Sequence, residues 1–581
     1  MKNHLTDISN VLVIGCGGAG LRAAIEVKKN DLNVKIIGKR RKNDAHTVLA
    51  AGGINAAFGN IDKDDNWLQH FADTYLEGYG LGNPEIIEIM AKESPKLVKE
   101  IDSWGANLEK LKNGKLDQRF FGAHTYRRTC YSGDFTGQSI IQALLKRIKL
   151  LNIPIYDSQY VTDLLINDNT CFGAMSINTK NGERTVHLAD SVILCTGGHT
   201  KIWFQSSSRK LENYGDGYDL ALKAGCDLID MEMVQFHPTG MIKPDDFAGT
   251  LVTEAVRGEG GKLFNVNGER FMQNYDKKRM ELSTRDKVAI ANYTEIIEGR
   301  SSPNGGVFLD ISHKPKDFIL NKIPKIYRQF IESQMLDISQ KPMEVAPTAH
   351  YSMGGILVDS YNHSTSVKGL FAAGEVAGGL HGANRLGGNS LAEILVFGKL
   401  SGIAASSYSI KLKAQIRSQM AIKKIHENIN KFIKNGEELV IALQNELSKV
   451  MWEKCGVIKN EEKLKLALEK IDEIEKRAYC VDIRISDNNF QDLIKLFDLN
   501  SSIKTAKATL LSAIERKESR GAHQRSDYPF LKASESCSYL IKEKEGLLQI
   551  SRKDCIGLNS DLRKQIDQTV KINDFKNRLL E

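Results

Sequence analysis

The chain has 581 residues, 41% hydrophobic and 26% charged, with a net charge of +8. That balance is average for globular proteins, excludes a disordered, collagen-like or disulfide-scaffold chain, and at roughly 150 residues per domain predicts three or four domains. Residues 401–581 hold 33 Lys and Arg against 26 Asp and Glu, while 42 of the 48 glycines lie before them, so a glycine-rich, nearly neutral body should precede a basic, helical tail.

The opening MKNHLTDISN is neither an apolar leader nor a twin-arginine signal, and no apolar run of about 18 residues follows, so the chain is expected to lack a membrane span. VLVIG (11–15) is a continuous apolar run, the pattern of a parallel strand buried on both faces. It enters the turn Gly15-Cys16-Gly17-Gly18-Ala19-Gly20, then the helical stretch LRAAIEVKKN and a second strand, NVKIIG, ending at Gly38. Such a unit binds dinucleotides. Gly15 permits the tight turn, Gly17 lets a pyrophosphate approach, Gly20 lets helix and strand close up, and the helix N-terminus beginning about Gly18 and Ala19 offers its amides to the phosphates. The acid that binds ribose in NAD sites is missing, because Gly38-Lys39-Arg40-Arg41 stands in its place. The basic run, Lys39 first, leaves open an NADP phosphate site or a flavin held in another way.

The next segment, Ala45-His46-Thr47-Val48-Leu49-Ala50-Ala51-Gly52-Gly53-Ile54-Asn55, resembles the flavin-attachment segment of succinate dehydrogenase and fumarate reductase flavoprotein subunits. The resemblance implies FAD bonded covalently to His46 through the 8α-methyl of the ring, with Thr47, Gly52 and Gly53 beside it. Ala45 and Ala51 replace the family's usual Ser and Gln. It continues through ILCTGGHTKIWFQSSS (193–208), with Cys195 in place of Ala, and through GDG (215–217), whose Asp216 is implied to contact the flavin nucleotide. GLFAAGEVAGG (369–379) reads as a buried strand and glycine turn, with Glu375 placed to accept from a ribose hydroxyl as its family counterpart does. Ser390 and Leu391 begin the helix SLAEILVFGKLSG, whose N-terminus can face the isoalloxazine ring and stabilise its anionic reduced form.

A succinate or fumarate site must hold two carboxylates, present C2–C3 to the flavin and move one proton, with fixed donors in a site closed to water. Four segments supply a matching set: QFHPTG with His237, LVTEAVRGEGG with Thr253 and Glu254, APTAHYSMGG with His350, and HGANRLGGNS with Arg385. The resemblance implies that His237, Thr253, His350 and Arg385 bind the dicarboxylate and that Phe121 packs beside it and helps twist it. It also implies that Arg285, in ELSTRD, carries the proton, resupplied through Glu254, with Arg257 a further link. Taken alone, Arg285 reads as a surface ion pair with Asp286. Glycine-punctuated turns around His237, His350 and Arg385 point instead to a cleft.

The fold expected is an α/β Rossmann-like FAD-binding domain, discontinuous over 1–236 and 346–405, with an inserted α+β capping domain at 237–345. A helical domain at 406–529 and a C-terminal extension at 530–581 follow, the extension departing from the family past Tyr528. KLKAQIRSQMAIKKIHENINKFI, NEEKLKLALEKIDEIEKRAY and NFQDLIKLFDLNSSIKTAKATLLSAIERKES carry apolar positions at helical spacing. The nine cysteines show no C-x-x-C spacing, so no metal site, haem or cluster is expected. The function implied is therefore that of a succinate:quinone oxidoreductase flavoprotein subunit. It would need an iron–sulfur subunit to take its electrons and a membrane anchor subunit to hold it on the cytoplasmic face. No base-reading motif supports nucleic acid binding. The competing readings are an L-aspartate oxidase with free FAD and a non-catalytic flavin-binding subunit serving assembly. His46 opposes the first and the full Thr253/Glu254/Arg285/His350/Arg385 set opposes the second.

Overall fold

The structure, a computed structural model, describes residues 5–485 and 490–569. The first apolar run is the buried half of β1 (Leu5–Ile14), followed by α1 (Gly18–Lys28) and β2 (Val34–Ile37). These join β3 (Ile155–Tyr156), β4 (Gln159–Asn167), β5 (Thr170–Asn178) and β6 (Arg184–Leu194) in one sheet of order β3-β2-β1-β6-β5-β4. β1 runs parallel to β2 and β6, with Leu12 opposite Val192, and the strand Leu370–Ala372 also pairs with β6. Every residue of α1 from Gly18 to Val27 is buried, because α1 lies between the sheet and a later helix, so its amphipathicity is weak. Helix α2 (Asp216–Ala224) and helix α3 (Asn389–Lys411) complete this α/β body. A Cβ at Gly398 of α3 would stand 2.7 Å from the Ala19 carbonyl, so the close approach of α3 to α1 requires glycine there.

The inserted cap is an antiparallel sheet of order β7 (Val234–Met241), β10 (Met343–Ser352), β9 (Val307–Asp310), β8 (Lys262–Phe264). It closes over its own core of Met241, Val256, Leu263, Phe271, Val288 and Phe330. β7 and β10 are the strands by which the chain enters and leaves the cap.

Helices α4 (Val440–Lys454), α5 (Glu461–Ala478) and α6 (Gln491–Glu515) form the helical domain. The stretch 412–417, expected from its sequence to be helical, is not: Gln415 donates to the Cys171 and Asp190 carbonyls, and Arg417 pairs with Asp190, which straps it extended along the body. The tail also departs from its helical expectation. β11 (Cys537–Lys544) and β12 (Leu547–Asp554) form a hairpin, and β11 pairs with Leu228–Ile229. Its turn, Glu545-Gly546, has positive φ at both residues, which is the backbone of a two-residue hairpin. Cys537, Tyr539 and Ile541 are buried on one face of it, and Ser538, also buried, donates to Asp230. Among the described residues no helix is long and apolar enough to cross a membrane, and no His/Cys/Asp/Glu group could hold a metal ion.

Candidate functional site

A single cavity of about 1060 Å³ runs from the glycine turn behind β1 to the cap strands. At its first end the three glycines have three different surroundings. A Cβ on Gly15 would lie 2.0 Å from the Cys195 carbonyl, and one on Gly20 would lie 2.0 Å from the Gly15 carbonyl. At Gly17 the nearest atom would be Thr47 Oγ1 at 3.6 Å, so that position borders open space at the head of α1. Gly18, Ala19, Thr47, Gly52, Gly53, Asp216, Glu375, Ser390 and Leu391 line the same cavity.

Lys39 lines it too but is not a free cation, because it pairs with Asp498 of α6 and stands 4.9 Å above the Tyr160 ring. A basic pocket for a 2′-phosphate is thereby closed at its first residue. Arg40 is likewise engaged, with Asp44. Glu375 Oε1 accepts from Ser352 N at 3.0 Å, and burial pushes its carboxyl up to about 7 despite His46 nearby. His46 donates or accepts through Nδ1 at 2.9 Å from Glu212 Oε1. Burial works against its protonation, but Glu212 outweighs burial and raises its pKa. Glu212 is itself tied to Arg209 at 3.0 Å, and nothing in its local sequence marks it as a partner of the site.

The other end is built on the two strands that cross into the cap. Gln235 and His237 lie two residues apart on β7 and share a face, while Phe236 turns away to Trp203 at 6.0 Å. Opposite them the ladder slips: Gln235 pairs with Tyr351, and Phe236 with Ala349. His350 is therefore the extra residue of a β-bulge, the device that re-aims a side chain toward a site. The His237 and His350 rings meet edge to face at 5.3 Å, and burial, helped by neighbouring charges, holds both well below the ordinary histidine range. Both are thus neutral imidazoles at physiological pH. Ser207 Oγ holds His350 Nδ1 at 2.9 Å.

Arg285 heads the helix Arg285–Ile297. Its partner is Glu254, through Nε at 2.8 Å, and not its neighbour Asp286, which accepts from the Tyr79 hydroxyl and from Asn384. Burial opposes ionisation of Glu254, yet Arg285 and Arg257 bring it down to about 2. Arg257 is fully buried, 3.9 Å from Glu254, and donates to the Glu281 carbonyl at 2.6 Å. Arg385 lies 4.4 Å over the Tyr351 ring, donates to Ser390 Oγ at 3.3 Å, and has an Nε with no hydrogen-bond partner. Burial first, then Arg285, lowers its pKa to about 10. Arg285 and Arg385 both bond to Gln235, a second residue absent from the sequence-derived set, although its spacing from His237 on a strand would have shown it. Phe121 packs where a Cβ on Gly52 would lie 2.5 Å from its ring, and Thr253 lines the cavity beside Glu254.

The structure therefore brings the sequence-derived residues from both ends onto one cavity, except Arg257 and Gly20, which do not line it, Gly20 packing against Gly15. An FAD binding domain model matches residues 10–391, and a fumarate reductase flavoprotein C-terminal model matches 444–554. The second match carries the likeness through the hairpin, past the Tyr528 limit set from sequence. The chain is 42% identical over 546 residues to a fumarate reductase (CoM/CoB) subunit from Methanothermobacter marburgensis, covering 94% of this chain and 98% of that one. It is 38% identical over 549 residues to the succinate dehydrogenase flavoprotein subunit of Rickettsia conorii, covering 90% of each. The solved structure of Mycobacterium smegmatis Sdh1 superposes with a TM-score of 0.89 at 35% identity, over 99% of this chain and 100% of the other.

Proposed function

This chain belongs to the flavoprotein-subunit family of succinate dehydrogenases and fumarate reductases, and on that premise we propose that it interconverts succinate and fumarate on covalently bound FAD. The observation that carries the reading is the convergence of two guanidinium groups and two neutral imidazoles at one end of a cavity whose other end is a dinucleotide turn.

The residues fit FAD. The head of α1 and the space beside Gly17 suit a pyrophosphate, and the start of α3, with Ser390 and Leu391, opens on the cavity. Bound FAD supplies the two-electron chemistry. His46 is held through Nδ1 by Glu212, so Nε2 is the nitrogen we assign to the covalent bond. Asp216 and Glu375 serve the nucleotide, with Lys39 at its edge.

At the far end Arg385 and His350 take one carboxylate of the substrate, and His237 and Thr253 the other. A guanidinium offers two parallel donors to a carboxylate, and neutral imidazoles add donors without further charge. Phe121, wedged against Gly52, walls the dicarboxylate in. Arg285 carries the proton: in fumarate reduction it gives one to carbon and takes another from Glu254 as that carboxyl passes a proton inward, and in succinate oxidation the same relay runs outward, with Arg257 behind. Between turnovers Glu254 rests ionised, because Arg285 and Arg257 hold its carboxyl low despite its burial.

Both named relatives are subunits of larger enzymes, which supports a partner that takes the electrons; we assign this role to an iron–sulfur protein, docked with a membrane anchor on the cytoplasmic face. The relative from M. marburgensis is named for CoM and CoB, so a donor of that kind stands beside the quinone expected from the sequence.

The test needs no partner. FAD-loaded protein should oxidise reduced viologen with fumarate, and acid precipitation should leave the yellow flavin in the pellet. Inactivity with fumarate overturns the dicarboxylate reading. Activity with flavin released to the supernatant removes only the His46 bond, and the free FAD of an L-aspartate oxidase then becomes the nearer comparison.

A further inference from the structure

Arg285 and Arg385 carry like charge and come from different parts of the chain, one from the helix after the cap loop and the other from the loop before α3. Between them stands the side chain of Gln235. Its Oε1 accepts from Arg285 Nη1 at 3.2 Å and from Arg385 Nη2 at 3.0 Å. The amide cannot turn over, because Nε2 is committed to Asn384 Oδ1 at 2.8 Å and to the Arg385 carbonyl at 2.9 Å. Asn384 is fixed in its turn, its Nδ2 donating to Glu77 Oε1 at 2.7 Å and Asp286 Oδ1 at 3.1 Å. Gln235 and Asn384 are both fully buried, so no water competes for these bonds.

The residue type matters as much as the geometry. A carboxylate in this place would form ion pairs with both guanidinium groups and compete with the carboxylate of a substrate. An apolar side chain would leave two like charges with no common acceptor. An amide oxygen carries only a partial charge, so it holds both donors in place and leaves both full charges for a ligand.

We propose that Gln235 is a positioning residue that fixes the spacing between the proton-carrying Arg285 and the carboxylate-binding Arg385 while leaving both charges open to the dicarboxylate. This rests on the reading of the site given above. Gln235 touches neither the reacting atoms nor the cofactor; it acts through the two arginines. Because one of them binds and the other transfers a proton, loosening it must show in KM and in kcat together.

Gln235→Met keeps the length and removes the shared acceptor; Gln235→Glu keeps the shape and adds the charge. Each would be purified with flavin and compared with the unaltered protein for melting temperature, flavin content, KM and kcat for fumarate with reduced viologen, and the Kd of malonate from flavin absorbance. With flavin content and melting temperature kept, Gln235→Met should raise KM and malonate Kd at least about 10-fold and lower kcat at least about 10-fold. Gln235→Glu should raise KM and Kd at least as much, because malonate must displace an internal carboxylate. If Gln235→Met does not fold, the Gln235→Glu result decides. Folded variants within 3-fold of the unaltered protein in KM and kcat would overturn the inference while the site reading stands. Failure of the unaltered protein to reduce fumarate or bind malonate overturns both.

Discussion

Arg385 in the cavity and Arg516, Arg520 and Arg525 in the tail are buried to the same degree, between 0 and 3% exposed, yet their surroundings are opposite. Arg516 spends all five of its N–H groups. It bonds Glu232 at 2.5 Å, Asp230 at 3.3 Å, Glu518 at 3.2 Å and the carbonyls of Glu535 and Cys537. Arg520 is closed by Glu518 and the Tyr79 and Lys532 carbonyls, and Arg525 by Asp527 and the carbonyl of Ala513. Arg385 has two neutral acceptors, an aromatic face and an idle Nε, and among the described residues it forms no ion pair. Leaving a buried donor unmade costs about 1–3 kcal/mol, more for a charged group, so an open guanidinium is a stored demand for an anion. Closed charge is architecture; open charge is a site. Part of the basic excess in residues 401–581 belongs to the first kind.

Three experiments would break or sharpen that contrast. Arg285→Lys should lower fumarate turnover by about 10³-fold or more, within the range of a lost general acid, while flavin stays bound; near-normal kcat would remove the proton role. Arg516→Ala should do the reverse. It strands Glu232 in the interior, while Glu518 keeps Arg520, at a cost of about 3–5 kcal/mol, read as a fall in denaturant or thermal midpoint, with KM for fumarate unchanged in the folded fraction. An unchanged midpoint would mean the closed cluster is dispensable.

The third treats the two clusters alike. Nine of the thirteen histidines, including His237 and His350 in the site and His523 in the tail, are held below the ordinary histidine range, in each case chiefly by burial. For a depressed histidine the unfolded chain binds the extra proton. Stability is then full above the unfolded pKa near ~6.5 and declines below it by up to about 1.4 kcal/mol per pH unit for each histidine. Unfolding midpoints should fall steeply from pH 6.5 to 5; a flat profile would mean these imidazoles are protonated in the folded state.

The glycine turn could be read from sequence because its demands are local: Gly15 and Gly20 have no room for a Cβ and Gly17 borders the cavity. The residues proposed to bind the dicarboxylate could be placed motif by motif, since each short glycine-flanked segment carries its own residue to the cleft. What local spacing could not give was pairing at a distance. Arg285 sits next to Asp286 in the chain but bonds Glu254, 31 residues away, a link that only the resemblance implied, and Glu212, which escaped altogether, reaches His46 across 166. No local spacing reports such contacts. The His350 bulge escaped because ladder register depends on both strands. The hairpin of the tail escaped because charge and low glycine content also suit a helix, although the Glu545-Gly546 turn distinguishes the two.

That hairpin sets a schedule for making the protein. β11 completes its sheet by pairing with Leu228–Ile229, so a strand translated before the middle of the chain waits for one more than 300 residues later. Until then its edge is bare, while the nucleotide turn upstream already has all its own residues. Asp230, at the end of that waiting strand, is satisfied by Ser538 and Tyr539 only when the last tenth of the chain has emerged. A message cut short before residue 537 would yield a chain with every proposed site residue and a strand paired only with Gly355–Ile356 on one side and bare on the other, a substrate for aggregation rather than for catalysis.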